Sequence, residues 1–360
     1  MTDPTGLKEV AEEPAEAEVE ASVIPLSDPD ITSFELDAVD AAMRSPRLSS
    51  GAGVEAFEEA FAAYLGRKYA IAVPSGTLGL LLALKACNIG PGDEVIASPY
   101  SFRETTHAIA LAGAKPVFAD IDYWAGTLVP EKAEARITEK TKAIVAGNTN
   151  GHPAPWGLLR EVAKRHNLVL LEDSTEALGA RYQGALVGTC GEASVCDVAQ
   201  PAVRTWGEGG RVVTDDVDIA VAIRRHRSHK LEERSSVVVS SSAPYQAGIS
   251  DISAALGLAQ LKRLGEILER RRLIEKLYYV NVQSFEGIKD PYVGPDVTDV
   301  NWFLYLVHLG TRFSRSSRDA IVEDLRVEQV EACAYATPRP LQRYYCELSS
   351  RQRHCLGTET

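Results

Sequence analysis

The sequence lacks any apolar run of the roughly 18–20 residues that a helix needs to cross a bilayer. It also lacks the basic start and apolar stretch of a secretory signal; Met1 to Ser22 is rich in Glu and Ala instead. Positive charge is short: 38 Lys and Arg stand against 50 Asp and Glu, a formal net charge of -12. Such a field repels phosphate polymers and anionic bilayers, which argues against nucleic acid or membrane as the main partner. A small anionic substrate can still be held by a local basic patch. The six cysteines (Cys87, Cys190, Cys196, Cys333, Cys346, Cys355) never fall in Cys-x-x-Cys spacing. Neither a metal site nor a disulfide framework is expected, and a cytoplasmic location follows. The last absence is local. No lysine occurs between Lys164 and Lys230, so that stretch carries no primary amine.

A chain of 360 residues, 45% hydrophobic and 24% charged, suits a globular protein of two domains, or of one large and one small unit. Residues 1–24 read as an acidic disordered tail. From Asp30 on, regular elements are legible. A helix is expected near Asp30, and Val54, Phe57, Phe61 and Leu65 mark an amphipathic one over Gly53–Leu65. Strand patterns at Tyr69–Val73, Glu94–Ala97, Pro116–Ala119, Thr141–Ala146, Leu168–Leu171 and Arg211–Val213 then alternate with helix patterns at Leu78–Cys87, Thr105–Ala112 and Trp156–His166. This alternation predicts an α/β fold: a mixed, mostly parallel sheet between helices. Ligands of such sheets sit at the carboxyl ends of the strands. A long helix over Ile252–Val280 leads to a small C-terminal α/β portion, with its best strand at Trp302–Leu309 and a helix at Ser317–Leu325. The expected units are therefore the tail, a large domain over 25–250, and the linking helix with the small domain over 251–360. No internal repeat is visible.

Three short motifs carry chemistry. Ser75-Gly76-Thr77 lies between a strand and a helix. A helix start offers free N–H groups and partial positive charge, which suits a phosphate, although it can equally be a plain capped terminus. Asp173 follows a buried strand and faces a site or caps a helix. Below a pyridine ring, such a carboxylate keeps the ring nitrogen protonated. Phe102 either stacks on a ring or packs in the core.

In order along the chain stand Val73-Pro-Ser-Gly-Thr77, Gly90-Pro-Gly-Asp-Glu-Val95, Ala112-Gly-Ala-Lys-Pro-Val117, Glu172-Asp173, Gly207-Glu-Gly-Gly210 and Asp251-Ile-Ser-Ala-Ala-Leu-Gly-Leu-Ala-Gln260. Together they resemble the DegT/DnrJ/StrS family of nucleotide-sugar aminotransferases, from about Pro25 to Tyr345. The resemblance implies the fold-type I architecture of enzymes that use pyridoxal phosphate (PLP). It implies that Ser75, Gly76 and Thr77 lie at the cofactor phosphate, that Phe102 stacks on the ring, that Asp173 pairs with the ring nitrogen and that Glu176 lies near the ring. It also implies a dimer.

The same resemblance exposes departures. The position of the Schiff-base lysine is Ala202, and a phosphate-binding serine is replaced by Asp197. Gln246 and Gly248 stand where the family has an asparagine and an arginine, the first of which reaches a neighbouring subunit's phosphate. Alanine has no amine for a Schiff base or for proton shuttling. A carboxylate and a phosphate ~4 Å apart repel by about 4 kcal/mol at an effective dielectric of ~20, on the order of a thousandfold in affinity. The family's last strand and helix are also missing, so an incomplete small domain is expected.

If the pocket is catalytic, Glu176 and Asp197 are the leading acid–base pair, since neighbouring carboxylates can hold separated pKa values. Arg204 and His107 are further candidates, with Arg204 alternatively a structural partner of Asp197. His229 ranks with them. His152 lines the mouth or is a loop histidine without a role, and Lys230 swings inward or stays at the surface. The first expectation is an enzyme with no cofactor, performing dehydration, isomerisation or cyclisation of a polar sugar, cyclitol or similar metabolite in a specialised biosynthetic pathway. The alternatives are a non-catalytic partner that forms a heterodimer with an active homologue instead of a homodimer, and an aminotransferase or dehydratase holding PLP or pyridoxamine phosphate (PMP) without a covalent bond.

Overall fold

The computed structural model describes residues 23–101, 103–198, 207–228, 243–310, 313–335 and Tyr345. The chain opens with helix α1 (Ser33–Met43), started by a capping box in which Thr32 and Glu35 satisfy each other's free N–H groups. This box places the start at Ser33, just past the expected Asp30. Helix α2 (Ala52–Leu65) follows and ends at Gly66, which takes the left-handed conformation at φ 70°. Then come β1 (Tyr69–Val73), α3 (Gly76–Ala86), β2 (Glu94–Ala97), α4 (Arg103–Leu111), β3 (Lys115–Phe118), α5 (Pro130–Glu134), β4 (Thr141–Gly147), α6 (Trp156–Arg165) and β5 (Val169–Asp173). A small ribbon of β6 (Arg181–Tyr182) and β7 (Ala185–Leu186) precedes β8 (Ala193–Asp197), β9 (Gly210–Thr214) and α7 (Val217–Arg227). The long α8 (Asp251–Val282) leads into β10 (Ile288–Lys289), β11 (Val297–Asp299), β12 (His308–Leu309) and α9 (Arg315–Val327).

The main sheet has the order β1-β9-β8-β5-β4-β2-β3. From β8 to β3 every pairing is parallel, whereas β9 runs antiparallel to both β8 and β1. The mixed, mostly parallel sheet between helices is thus present. Because side chains alternate along a strand, each face feeds a separate core. Val95, Ala143, Val145, Leu171 and Val195 pack under α3, α4 and α7, joining Leu80, Leu84, Ile109 and Ile223. On the other face Ile96, Ile144 and Leu170 meet Trp156, Leu159 and Val162 of α6. Phe61 of α2 and Leu264 of α8 close the same face further along, beside Val213. Helix α3 is apolar all round because the sheet covers one side and α4 and α7 cover the other.

One sequence expectation fails in the small unit. Trp302–Leu309 is not a strand; only His308–Leu309 pairs, with Ile288–Lys289. The backbone before it is satisfied elsewhere. Phe303 N–H donates to Asn150 O at 3.3 Å, Leu304 N–H to Asn150 Oδ1 at 2.9 Å, and Arg271 donates to the carbonyls of Trp302 and Phe303. The apolar run serves to dock on the large domain, a contact that β-propensity does not encode.

Helices α2 and α8 are joined through one buried carboxylate. Asp251, the first residue of α8, accepts from Gly51 N–H at 2.8 Å and Val54 N–H at 2.9 Å, capping α2 from outside. A Cβ on Gly51 or Gly53 would stand 2.6 or 2.8 Å from this carboxylate, which explains glycine at both positions. Asp251→Ala leaves these buried donors without a partner. It is expected to lower unfolding free energy by about 1–3 kcal/mol, measured by urea denaturation; an unchanged midpoint would contradict the role.

Candidate active site

Strands β4, β5 and β8 run parallel side by side, so their carboxyl ends present Gly147, Asp173 and Asp197 at one edge. Asp173 is the last residue of β5 and is buried. Its Oδ2 accepts from Thr105 Oγ1 at 2.6 Å and its Oδ1 from Thr175 N–H at 3.1 Å. Both donors are neutral. Burial pushes the Asp173 carboxyl above its ordinary value, the two threonines oppose the rise, and the charge of Asp197 adds to it.

Three residues on, Glu176 is also buried. Asn150 takes a positive φ of 48°, which turns its N–H toward Glu176 Oε2 at 2.5 Å. The hydroxyl of Tyr335, from the C-terminal unit, donates to Glu176 Oε1. Tyr335 is itself held by Tyr100, whose hydroxyl donates to its carbonyl at 2.8 Å and whose ring meets it edge-on at 5.7 Å. Asp173 and Glu176 line a small open cleft together with Ser101, Gly147, Asn148 and Thr149.

Asn148 fixes the wall of this cleft. Its Nδ2 donates to Glu172 Oε1 and Ser174 Oγ, both at 2.9 Å, while its Oδ1 accepts from Ala154 N–H at 3.0 Å and Trp156 Nε1–H at 2.8 Å.

At the neighbouring strand end lies the start of α3. Ser75 is its N-cap and accepts from Leu78 N–H at 3.2 Å. Gly76 N–H donates to Asp197 Oδ2 at 2.6 Å. Asp197 is anchored in turn, its own N–H donating to Thr175 Oγ1 at 3.0 Å. Gly210 of β9 presses on the same backbone: a Cβ there would lie 2.8 Å from Ser75 C and 2.9 Å from Gly76 N. Glycine at this point of Gly207-Glu-Gly-Gly210 is therefore required by close approach.

The structure thus brings Ser75, Gly76, Asp173, Glu176 and Asp197 to one edge of the sheet, with half-buried Thr77 on the first turn of α3. Of the described candidates, Asp173 and Glu176 line the cleft, and Ser75, Gly76, Thr77, Asp197, His107 and Gln246 are not among its lining residues. His107 stacks on Tyr345 at 6.0 Å, beside Phe118. Gln246 is exposed at φ 54°, in a segment whose neighbours Tyr245 and Ala247 donate to the end of α7. Phe102, Ala202, Arg204, His229 and Lys230 lie outside the described residues. His152 is neither idle nor at the mouth: its Nδ1 lies 2.8 Å from Pro153 O, its Nε2 accepts from Gly294 N–H at 3.0 Å, and its ring stacks on Tyr292 at 6.0 Å. Sequence reasoning missed Thr105, Thr175, Asn148, Asn150 and Tyr335. Only Thr175 had a local signal, two residues after an aspartate, where an Asx turn forms.

With this geometry, comparisons with known proteins become specific. The DegT/DnrJ/EryC1/StrS aminotransferase family matches residues 29–360. The chain belongs to that family. It is 35% identical to the spore coat polysaccharide biosynthesis protein SpsC of Bacillus subtilis over 332 residues, 89% of this chain and 85% of that protein. It is 33% identical to the GDP-perosamine synthase of Caulobacter vibrioides, covering 91% of this chain and 88% of the synthase. Among solved structures, Helicobacter pylori PseC, an aminotransferase of pseudoaminic acid biosynthesis, superposes with a TM-score of 0.86 at 28% identity, covering 94% and 91% of the two chains. DesV of S. venezuelae, solved with a ketimine intermediate, gives 0.82 at 29% identity, covering 90% and 87%. The fold is therefore that of the PLP-dependent aminotransferases, and no helix among the described residues is long and apolar enough to cross a membrane.

These findings correct the expectation that no cofactor is used. It rested on Ala202 and the changed phosphate ligands, but the family and its solved members are PLP-dependent aminotransferases. The residues present suit such a group at one end: a buried carboxylate with raised pKa, whose donors among the described residues are neutral, favours a cationic N–H partner. At the other end, the first N–H of α3 is already bound by Asp197.

The contacts of His152 require its neutral form, because Nε2 accepts from Gly294. Burial accordingly pushes its pKa below the ordinary 6.5. In the unfolded chain it titrates near 6.5, so the stability it contributes is present above that pH and is lost as pH falls below it. Urea midpoints of the wild type should fall between pH 7.5 and pH 5.5 more than those of His152→Gln. Parallel curves would assign the pH dependence to other groups.

Proposed function

We propose that this protein is a sugar aminotransferase-family enzyme that acts on a nucleotide-linked sugar and holds PLP or PMP without a covalent bond. The observation that carries this is Asp173: a buried carboxylate at the end of β5, raised in pKa, held by neutral Thr105 and Thr175 and open to the cleft. The substrate class is supported by SpsC and GDP-perosamine synthase, relatives in polysaccharide and nucleotide-sugar biosynthesis. The non-covalent mode is supported by Ala202 and by the absence of lysine between Lys164 and Lys230.

When bound, PLP or PMP supplies an amino-group carrier and an electron sink. The chain's own residues set the surroundings. Asp173 favours a proton on a ring nitrogen placed against it, because a buried anion is stabilised by a nearby cation. Glu176 sits in the cleft wall with both oxygens engaged, Oε2 by Asn150 N–H and Oε1 by the Tyr335 hydroxyl. A carboxylate so held keeps a fixed direction and exchanges a proton at Oε1 with a substrate group that displaces the tyrosine.

An absorbance titration with PLP and with PMP, followed by borohydride reduction and intact mass, tests the proposal. Saturable binding with no mass increase is expected, and Asp173→Asn should weaken PMP binding by about 10-fold to 100-fold. Absence of binding by both cofactors, or a covalent adduct, would overturn it.

A further inference from the structure

The amino end of α3 is occupied by the protein's own anion. This helix has 11 residues, and its first N–H is taken by Asp197 Oδ2 at 2.6 Å. Asp197 is 4% exposed, so its carboxylate is not a passing surface contact. It is set in place from two sides. Its N–H is tied to Thr175 Oγ1, next to Asp173, and its strand partner Gly210 presses on the Ser75–Gly76 backbone. A helix amino end attracts one anion through free N–H groups and partial positive charge. A second anion arriving there must displace the first or lie against it.

We infer that Asp197 is a specificity-determining residue that competes with phosphate at the amino end of α3 and sets how tightly the cleft takes a phosphorylated ligand. The inference rests on the proposed function for the identity of that ligand, PLP or PMP. Phosphate is the strongly anionic part of either cofactor. The carboxylate charge therefore weakens the phosphorylated form and leaves a phosphate-free analogue nearly unaffected. Occupancy of the cleft is held down by a side chain of the protein, in contrast with a site whose helix start is left open.

The test compares wild type, Asp197→Asn and Asp197→Ser. Asparagine keeps an acceptor for Gly76 N–H and the shape of the side chain; serine clears the space. Dissociation constants are measured for PMP and for pyridoxamine, which lacks the phosphate, and thermal shifts are recorded with inorganic phosphate. Both variants should bind PMP on the order of 10²-fold to 10³-fold more tightly than wild type. Pyridoxamine affinity should change by less than about threefold, a bound set by its lack of the repelled charge. Phosphate should stabilise the variants more than the wild type. Equal PMP affinity in the three proteins would overturn the inference and leave the proposed function standing. Tight PMP binding by the variants alone would support the inference and overturn the proposed function for the wild type. If none of the three binds PMP and phosphate shifts none of them differently, both fail. A parallel gain for pyridoxamine would reduce Asp197 to a packing role and also overturn the inference.

Discussion

The cleft depends on one buried carboxylate that is not in it. Glu172 is fully buried beside Asp173, and it accepts from Asn148 Nδ2, Ser174 Oγ, Gly188 N–H and Cys190 N–H at 2.6–2.9 Å. An ion removed from water is tolerated only when its lone pairs are filled in this way. The consequence is geometric. Successive residues of a strand point to opposite faces, so anchoring Glu172 within the structure fixes the orientation of Asp173. The same anchor holds Asn148, which in turn holds Ala154 and Trp156 at the start of α6. The loops after β4 and β5, and the segment before β8, are locked to one another through this single group.

Around that anchor stand three acidic side chains with different surroundings. Among the described residues Asp173 has neutral donors, Thr105 and Thr175, and burial pushes it toward its protonated form. Glu176 is bound by a backbone N–H from one loop and a phenol from the C-terminal unit. Asp197 is seated on a helix dipole. Under the proposed function these three carboxylates take three roles, ring partner, oriented proton site and internal anion, according to what each of them touches. The contact of Tyr335 with Glu176 also ties the small unit to the cleft, in line with the docking of Phe303 and Leu304 on Asn150.

Most of the main sheet was legible because its signals are local. Apolar patterns marked β1 to β5 and the helices α3, α4 and α6 between them but not the short α5, and Ser75-Gly76-Thr77 marked the start of α3. Asp173 was legible as the acidic end of an apolar strand. The small unit was less so: Trp302–Leu309 has the composition of a strand, but its partners are a turn of the large domain and Arg271. Thr105 and Tyr335 were invisible for the same reason. Each meets its carboxylate across a long sequence separation, and nothing in their own neighbourhoods announces it. His152 was underrated because its role depends on Gly294, far along the chain.

The sequence by itself determined the fold class and the family, because apolar periodicity and short motifs act within a few residues. It also placed Asp197 where a phosphate would meet a like charge. Only the tertiary structure decided what that aspartate does. The sheet order sets the end of β8 beside the start of α3, and the tight contact of Gly210 holds the two together. A hydrogen bond from Gly76 N–H across more than a hundred residues of chain can be formed only when those strands are assembled, so no local pattern records it.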